Sequence, residues 1–156
     1  MLNSKSKWYN YKHTLMKTKN VITLFFASLL SLTIQAQHQT TSIEIQINDI
    51  SSDKGSIRIG LYNSESNFYK KLYKSTSIKA KKGSIKVVLD DILIGHYAIS
   101  LYHDENNNKE LDSNFLGIPK EPYGTSNNAK GTFGPPSWED AKFSVSEKTG
   151  IQSINL

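Results

Sequence analysis

Five oxygen-bearing side chains alternate along the stretch D-E-N-N-N-K-E-L-D: Asp104, Asn106, Asn108, Glu110 and Asp112. Calcium takes about six to eight oxygens at about 2.3–2.6 Å in flexible geometry, and a tight loop with an oxygen at every second position can wrap it. Asp104, Asn106 and Asn108 fall on the first, third and fifth places of an EF-hand count. Glu110 would offer a carbonyl or carboxylate at the seventh, and Asp112 a direct or water-mediated ligand at the ninth. Lys109 replaces the glycine of the sharp turn, and Phe115 replaces the bidentate glutamate at the twelfth place. The pattern therefore predicts no EF-hand, and any calcium would be held at roughly 10⁻⁴–10⁻³ M. The competing reading is a turn in which the Asp and Asn side chains hydrogen-bond their own backbone.

Other chemistry is thinly represented. The chain has no nucleophile elbow, no zinc-protease motif, no phosphate-binding glycine loop and no cysteine. His96 and His103 flank one strand at an odd separation, so a regular strand sends them to opposite faces. Glu121, Glu139 and Asp140 are the carboxylates a hydrolase would draw on, but no spacing pairs them. A non-catalytic binding or accessory module is the first expectation. A hydrolase acting on envelope glycans or polymers through Glu121 or Asp140 is the alternative.

Downstream, Gly117, Pro119, Pro122, Gly124, Gly131, Gly134, Pro135 and Pro136 fix or free the backbone repeatedly. Aperiodic segments of this length inside a domain are usually functional or disordered, and the aromatics here argue for order. Phe115, Tyr123, Phe133 and Trp138 are expected to pin the segment onto the body rather than to present rings to a ligand.

The elements that must position these residues are strands. Ile43, Ile45 and Ile47 alternate with polar residues, as do Ile57, Ile59 and Leu61 across an Asp53-Lys54-Gly55 turn. Ser64–Lys74 suits one short helical turn or a packed loop. Thr76–Ala80 and Ser84–Leu89 read as a pair joined across Lys81, Lys82 and Gly83, with Ile85, Val87 and Leu89 inward. Tyr97, Ile99 and Leu101 share one face of the next strand, with Ala98, Ser100 and Tyr102 on the other. Lys142–Val145 and Ile151–Leu156 close the series. About seven short strands predict an all-β fold, an antiparallel two-sheet sandwich with one long ordered loop.

Residues 1–36 read differently. Lys17 and Lys19 precede an apolar run, Val21 to Ile34, with Ala36 as a small residue for cleavage before Gln37. That is the pattern of a secretory signal peptide, and Met16 stands where such a signal normally begins. A short tail, 37–42, would lead into a single domain, 43–156. Five of the 19 basic residues and none of the 14 acidic ones lie in 1–36, which leaves a balanced mature chain. Its lysines, such as Lys70, Lys71, Lys81 and Lys82, read as solvated or edge-guarding charges, and a nucleic-acid partner is not expected. Without cysteine the N terminus cannot be lipidated, and stability must rest on the apolar core. The expectation is a periplasmic or extracellular protein with no membrane span in its mature form, binding a protein or glycan ligand in the envelope.

The segment G-H-Y-A-I-S-L-Y-H-D-E-N-N-N-K-E-L-D-S-N-F-L-G-I-P-K-E-P-Y-G-T-S-N-N-A, with F-G-P-P-S-W-E-D-A-K-F after it, resembles the family of small exported bacterial proteins known as domain of unknown function 2141. The resemblance covers roughly 43–156, and Trp138 stands where a Phe is more usual. It implies an exported β-sandwich similar to transthyretin-like, Ig-like or carboxypeptidase-regulatory-like modules, and no established activity. Fold does not carry function with it.

Overall fold

Isoleucines at every second position give β1 (Thr40–Ile50) one fully apolar face, and Ile43, Ile45 and Ile47 are all completely buried. The structure is a computed structural model that describes residues 39–148 and 150–156. The signal-peptide reading of 1–36 lies outside the described residues. β1 already begins at Thr40, where Thr40 and Thr41 pair with Leu93 and Ile92, so the expected tail is partly strand.

The other strands are β2 (Ser56–Tyr62), β3 (Lys74–Lys79), β4 (Gly83–Leu93), β5 (Gly95–Asp104), β6 (Tyr123–Thr125), β7 (Phe143–Val145) and β8 (Gly150–Asn155). They form two sheets. One has the order β4-β1-β8; the other runs β3-β2-β5-β6, with β7 also paired to β5. Pairings are antiparallel except β1 with β8, which is parallel. Inward residues of both sheets meet in one core that includes Ile45, Ile59, Val87, Ile99, Leu101 and Ile154. The all-β two-sheet expectation holds in the described residues.

Two places break strict alternation. Ile47 and Ile50 are both buried although three positions apart, as are Leu89 and Ile92. Between the members of each pair an aspartate adopts left-handed φ, Asp49 at 60° and Asp91 at 56°. A single left-handed residue lets the strand bulge and return its next apolar side chain to the core.

The sheet assignment departs from the sequence reading. β3 and β4 are not a hairpin: β3 pairs with β2, and β4 crosses to pair with β1. The turn at Asp53–Gly55 likewise carries the chain between sheets, which lie about 10 Å apart and so within reach of three residues. The two crossings brace each other, since the Ala80 N–H donates to the Gly55 carbonyl (3.2 Å) and the Lys82 N–H to Asp53 Oδ1 (2.6 Å).

The outer face of β5 carries a second, smaller cluster. Ala98 lies under Trp138 and Ala141 of the short helix Trp138–Ala141, together with Tyr62 and Phe68. Phe68 meets Trp138 edge-on at 5.7 Å and Tyr62 at 5.3 Å, the geometry aromatic quadrupoles favour. The expected short turn within Ser64–Lys74 is the 3₁₀ turn Glu65–Asn67. Further along the same face, Ser100 and Tyr102 are left for the loops to cover. Among the described residues no helix is long and apolar enough to cross a membrane.

Candidate functional site

β5 ends in two buried polar residues, His103 and Asp104, and the long loop grows from them. His103 Nε2 lies 2.7 Å from the Lys54 carbonyl, which can only accept, so Nε2 carries the proton. His96 is exposed beside Ser144 (3.2 Å), so the two histidines do not meet. Asp104 Oδ2 accepts from Arg58 Nε (2.8 Å) and from the Lys109 N–H (3.0 Å). Loss of solvation pulls the Asp104 carboxyl upward, but Arg58 and the backbone N–H donors together outweigh it and hold its pKa below the usual aspartate value.

The structure gathers three of the five nominated oxygen donors. Asn106 Nδ2 and Asn108 Nδ2 donate to the two oxygens of Asp112, at 2.7 and 3.0 Å. The Asn106 and Asn108 carbonyl oxygens accept from the N–H groups of Asn108 (2.9 Å) and Glu110 (2.8 Å), which are Asx-turns. Asp104 stands apart on Arg58, and Glu110 enters through its backbone N–H. Among the described residues no three His, Asp or Glu side chains cluster tightly enough to hold a metal by themselves.

Two organising residues were not singled out for this role by sequence. Glu121, nearly buried, accepts from the Glu105 N–H with Oε1 (3.1 Å) and the Asp112 N–H with Oε2 (3.0 Å), closing the loop across its base. Arg58 projects from β2, opposite Tyr102, to reach Asp104. The clue available in sequence was an arginine among strand residues otherwise short or apolar. Asp140, the other carboxylate considered for hydrolysis, accepts a hydrogen bond from the Ser137 hydroxyl (2.5 Å). Its N–H in turn donates to that hydroxyl (3.2 Å), capping the short helix.

Beyond Asp112 the chain doubles back through a bridge between Ser113 and Pro119, with Asn114 Oδ1 accepting from Leu116 and Ile118. The expected pinning by aromatics is only partly met. Trp138 is buried, but Phe115 is 94% and Phe133 102% exposed. Around Phe115 the chain is ordered by hydrogen bonds accepted by Asn114 and Glu121, which frees that ring from the task. Between residues 111–119 and 131–136 lies a groove of about 700 Å³, open over the outer face of β5 and β6. Tyr69, Ser100, Tyr102 and Tyr123 are among its lining residues. Tyr69 sits at φ 58°, its ring centroid 4.0 Å from that of Phe68 with the planes tilted by 35°, in a left-handed conformation that costs about 1–3 kcal/mol and persists only where its surroundings enforce it.

The molecule is thus an all-β two-sheet module with an ordered loop system and a groove on one outer face. The chain belongs to the family described as "Uncharacterized protein conserved in bacteria (DUF2141)", whose model matches residues 45–152. No curated protein and no solved structure matches it.

Proposed function

We propose that this protein is an exported, non-catalytic binding or accessory module whose working surface is the groove between the 111–119 and 131–136 loops. The observation that carries the reading is Phe133, an apolar ring fully exposed at the rim of a groove large enough for a ligand. Exposed apolar groups gathered at a concave site mark binding surfaces. The carboxylates a hydrolase would need are committed elsewhere: Glu121 to two backbone N–H groups and Asp140 to Ser137. The Val21–Ile34 run before Ala36 supports export. The test uses protein recovered from outside the cytoplasm. It should begin at Gln37, and a fragment library screened by NMR should shift Tyr102, Tyr123 and Phe133 together. Retention in the cytoplasm would remove the export, and fragments clustering elsewhere would remove the groove.

The 104–112 loop, in the same reading, takes a calcium ion weakly. Asn106, Asn108 and Asp112 already meet, and rotating an amide by half a turn would turn its oxygen toward an ion at the cost of its Asx-turn hydrogen bond. With Asp104 held by Arg58, Asp112 is the main carboxylate, which keeps affinity near the weak end, about 10⁻³ M. In about 10 mM calcium the melting temperature of the unaltered protein should rise by about 3–5 °C, and Asp112→Ala should abolish the rise. An unmoved melting temperature in the unaltered protein would dispose of the ion.

A further inference from the structure

We infer that the groove takes an uncharged, ring-bearing, mainly apolar small molecule, packed between Tyr123 and Phe133. This rests on the groove being the working surface and adds the class of ligand. Its volume of about 700 Å³ lies within the range of about 300–1,000 Å³ usual for small-molecule sites. Charge decides the next point. Not one of the lining residues is Asp, Glu, Lys, Arg or His. The acidic groups at the loop base are already engaged, Asp104 by Arg58 and Asp112 by two asparagines. An ionised ligand entering here would lose water without meeting a counter-charge, whereas a neutral one would not.

Polar groups of the lining narrow the class further. The Tyr102 hydroxyl donates to the Lys109 carbonyl (2.9 Å), and the Tyr69 hydroxyl is shared with Thr125 (3.4 Å) and Ser100. Among the described residues the Tyr123 hydroxyl bonds to no protein group, while its ring is about half exposed at 48%. The groove therefore offers ring faces in abundance and few uncommitted side-chain hydroxyls. A flat, mainly apolar molecule with one polar atom matches such a lining. A Cβ on Gly131 would stand 2.0 Å from the Gly134 carbonyl oxygen, so the turn carrying Phe133 leaves no room for a side chain at Gly131.

The test titrates the full chain with two fluorescent probes that share their rings: uncharged N-phenylnaphthylamine and its sulfonated analogue, anilinonaphthalene sulfonate. The uncharged probe should bind one site, about tenfold or more tighter than the sulfonate. Phe133→Ser, at a fully exposed position, should weaken it about fivefold or more with no change in melting temperature; Tyr123→Ser should weaken it as much, while Tyr123→Phe, which keeps the ring, should retain most of the affinity. Equal affinity for both probes, or indifference to Phe133→Ser, would overturn the inference. Should a neutral oligosaccharide shift the NMR signals of Tyr102, Tyr123 and Phe133 while the uncharged probe does not, the ligand class is wrong and the groove stands. If neither compound moves them, both readings fall.

Discussion

Gly55→Ala should lower the stability of the protein by about 3–5 kcal/mol, a loss in the exceptional range for a single methyl group. Gly55 sits at φ +68°, and a Cβ built there would stand 1.9 Å from the Asp104 carbonyl oxygen and 2.7 Å from Glu105 Cα. Both neighbours are backbone, so no flexible side chain can yield. The left-handed conformation alone costs an alanine about 1–2 kcal/mol; the remainder comes from prising the Asp53–Gly55 turn away from the end of β5. Gly83 is the internal control. It has φ +100° with nothing within 4 Å of the added atom, so Gly83→Ala carries strain without collision. Urea denaturation measures the loss, and a Gly55→Ala loss no larger than about 1–2 kcal/mol, the left-handed strain alone, would show that steric contact at Gly55 contributes nothing.

Asp104→Ala should cost about 3 kcal/mol, because it leaves the Arg58 guanidinium, only 27% exposed, without its partner. Replacing both members, as Arg58→Met with Asp104→Leu, should cost less than the sum of the single changes, since no charge is then stranded. The same pair sets an acid response. The folded pKa of Asp104 is depressed, so its contribution is fully present above the ordinary value of 3.8 and is lost as pH falls below that toward the folded value. Asp104→Asn should therefore show a flatter decline of stability than the unaltered protein below about pH 3.8. Parallel declines in the two proteins would mean that Asp104 is not the group that titrates there.

Most of the strands were legible because burial on one face imposes a period of two on the sequence, as in Ile43-Glu44-Ile45-Gln46-Ile47. Their partners were not. Lys81-Lys82-Gly83 looks like hairpin chemistry, yet a short polar connection serves equally well to step from one sheet to the other, and only three-dimensional packing decides. β6 was missed because Tyr123-Gly124-Thr125 is too short to display a period. Of the site, the Asx-turn alternative for Asn106 and Asn108 was readable, because those side chains reach backbone two residues on. Arg58 was not, being remote in sequence from Asp104. The exposure of Phe115 runs against expectation for a definite reason: hydrogen bonds accepted by Asn114 and Glu121 supply around it the order that burial would otherwise provide.

The parallel pairing of β1 with β8 has a kinetic consequence. β1 is the middle strand of its sheet, yet one of its two neighbours, β8, lies about a hundred residues further along the described chain. The Asn48 side chain donates to Asn155 Oδ1 (3.1 Å) across 107 positions. Closing so large a loop must precede any stabilisation from that contact, and folding dominated by distant pairings is slow. The β1 edge is completed only once β8 has paired with it, so a chain with β1 to β7 in place still holds its central strand with one flank open.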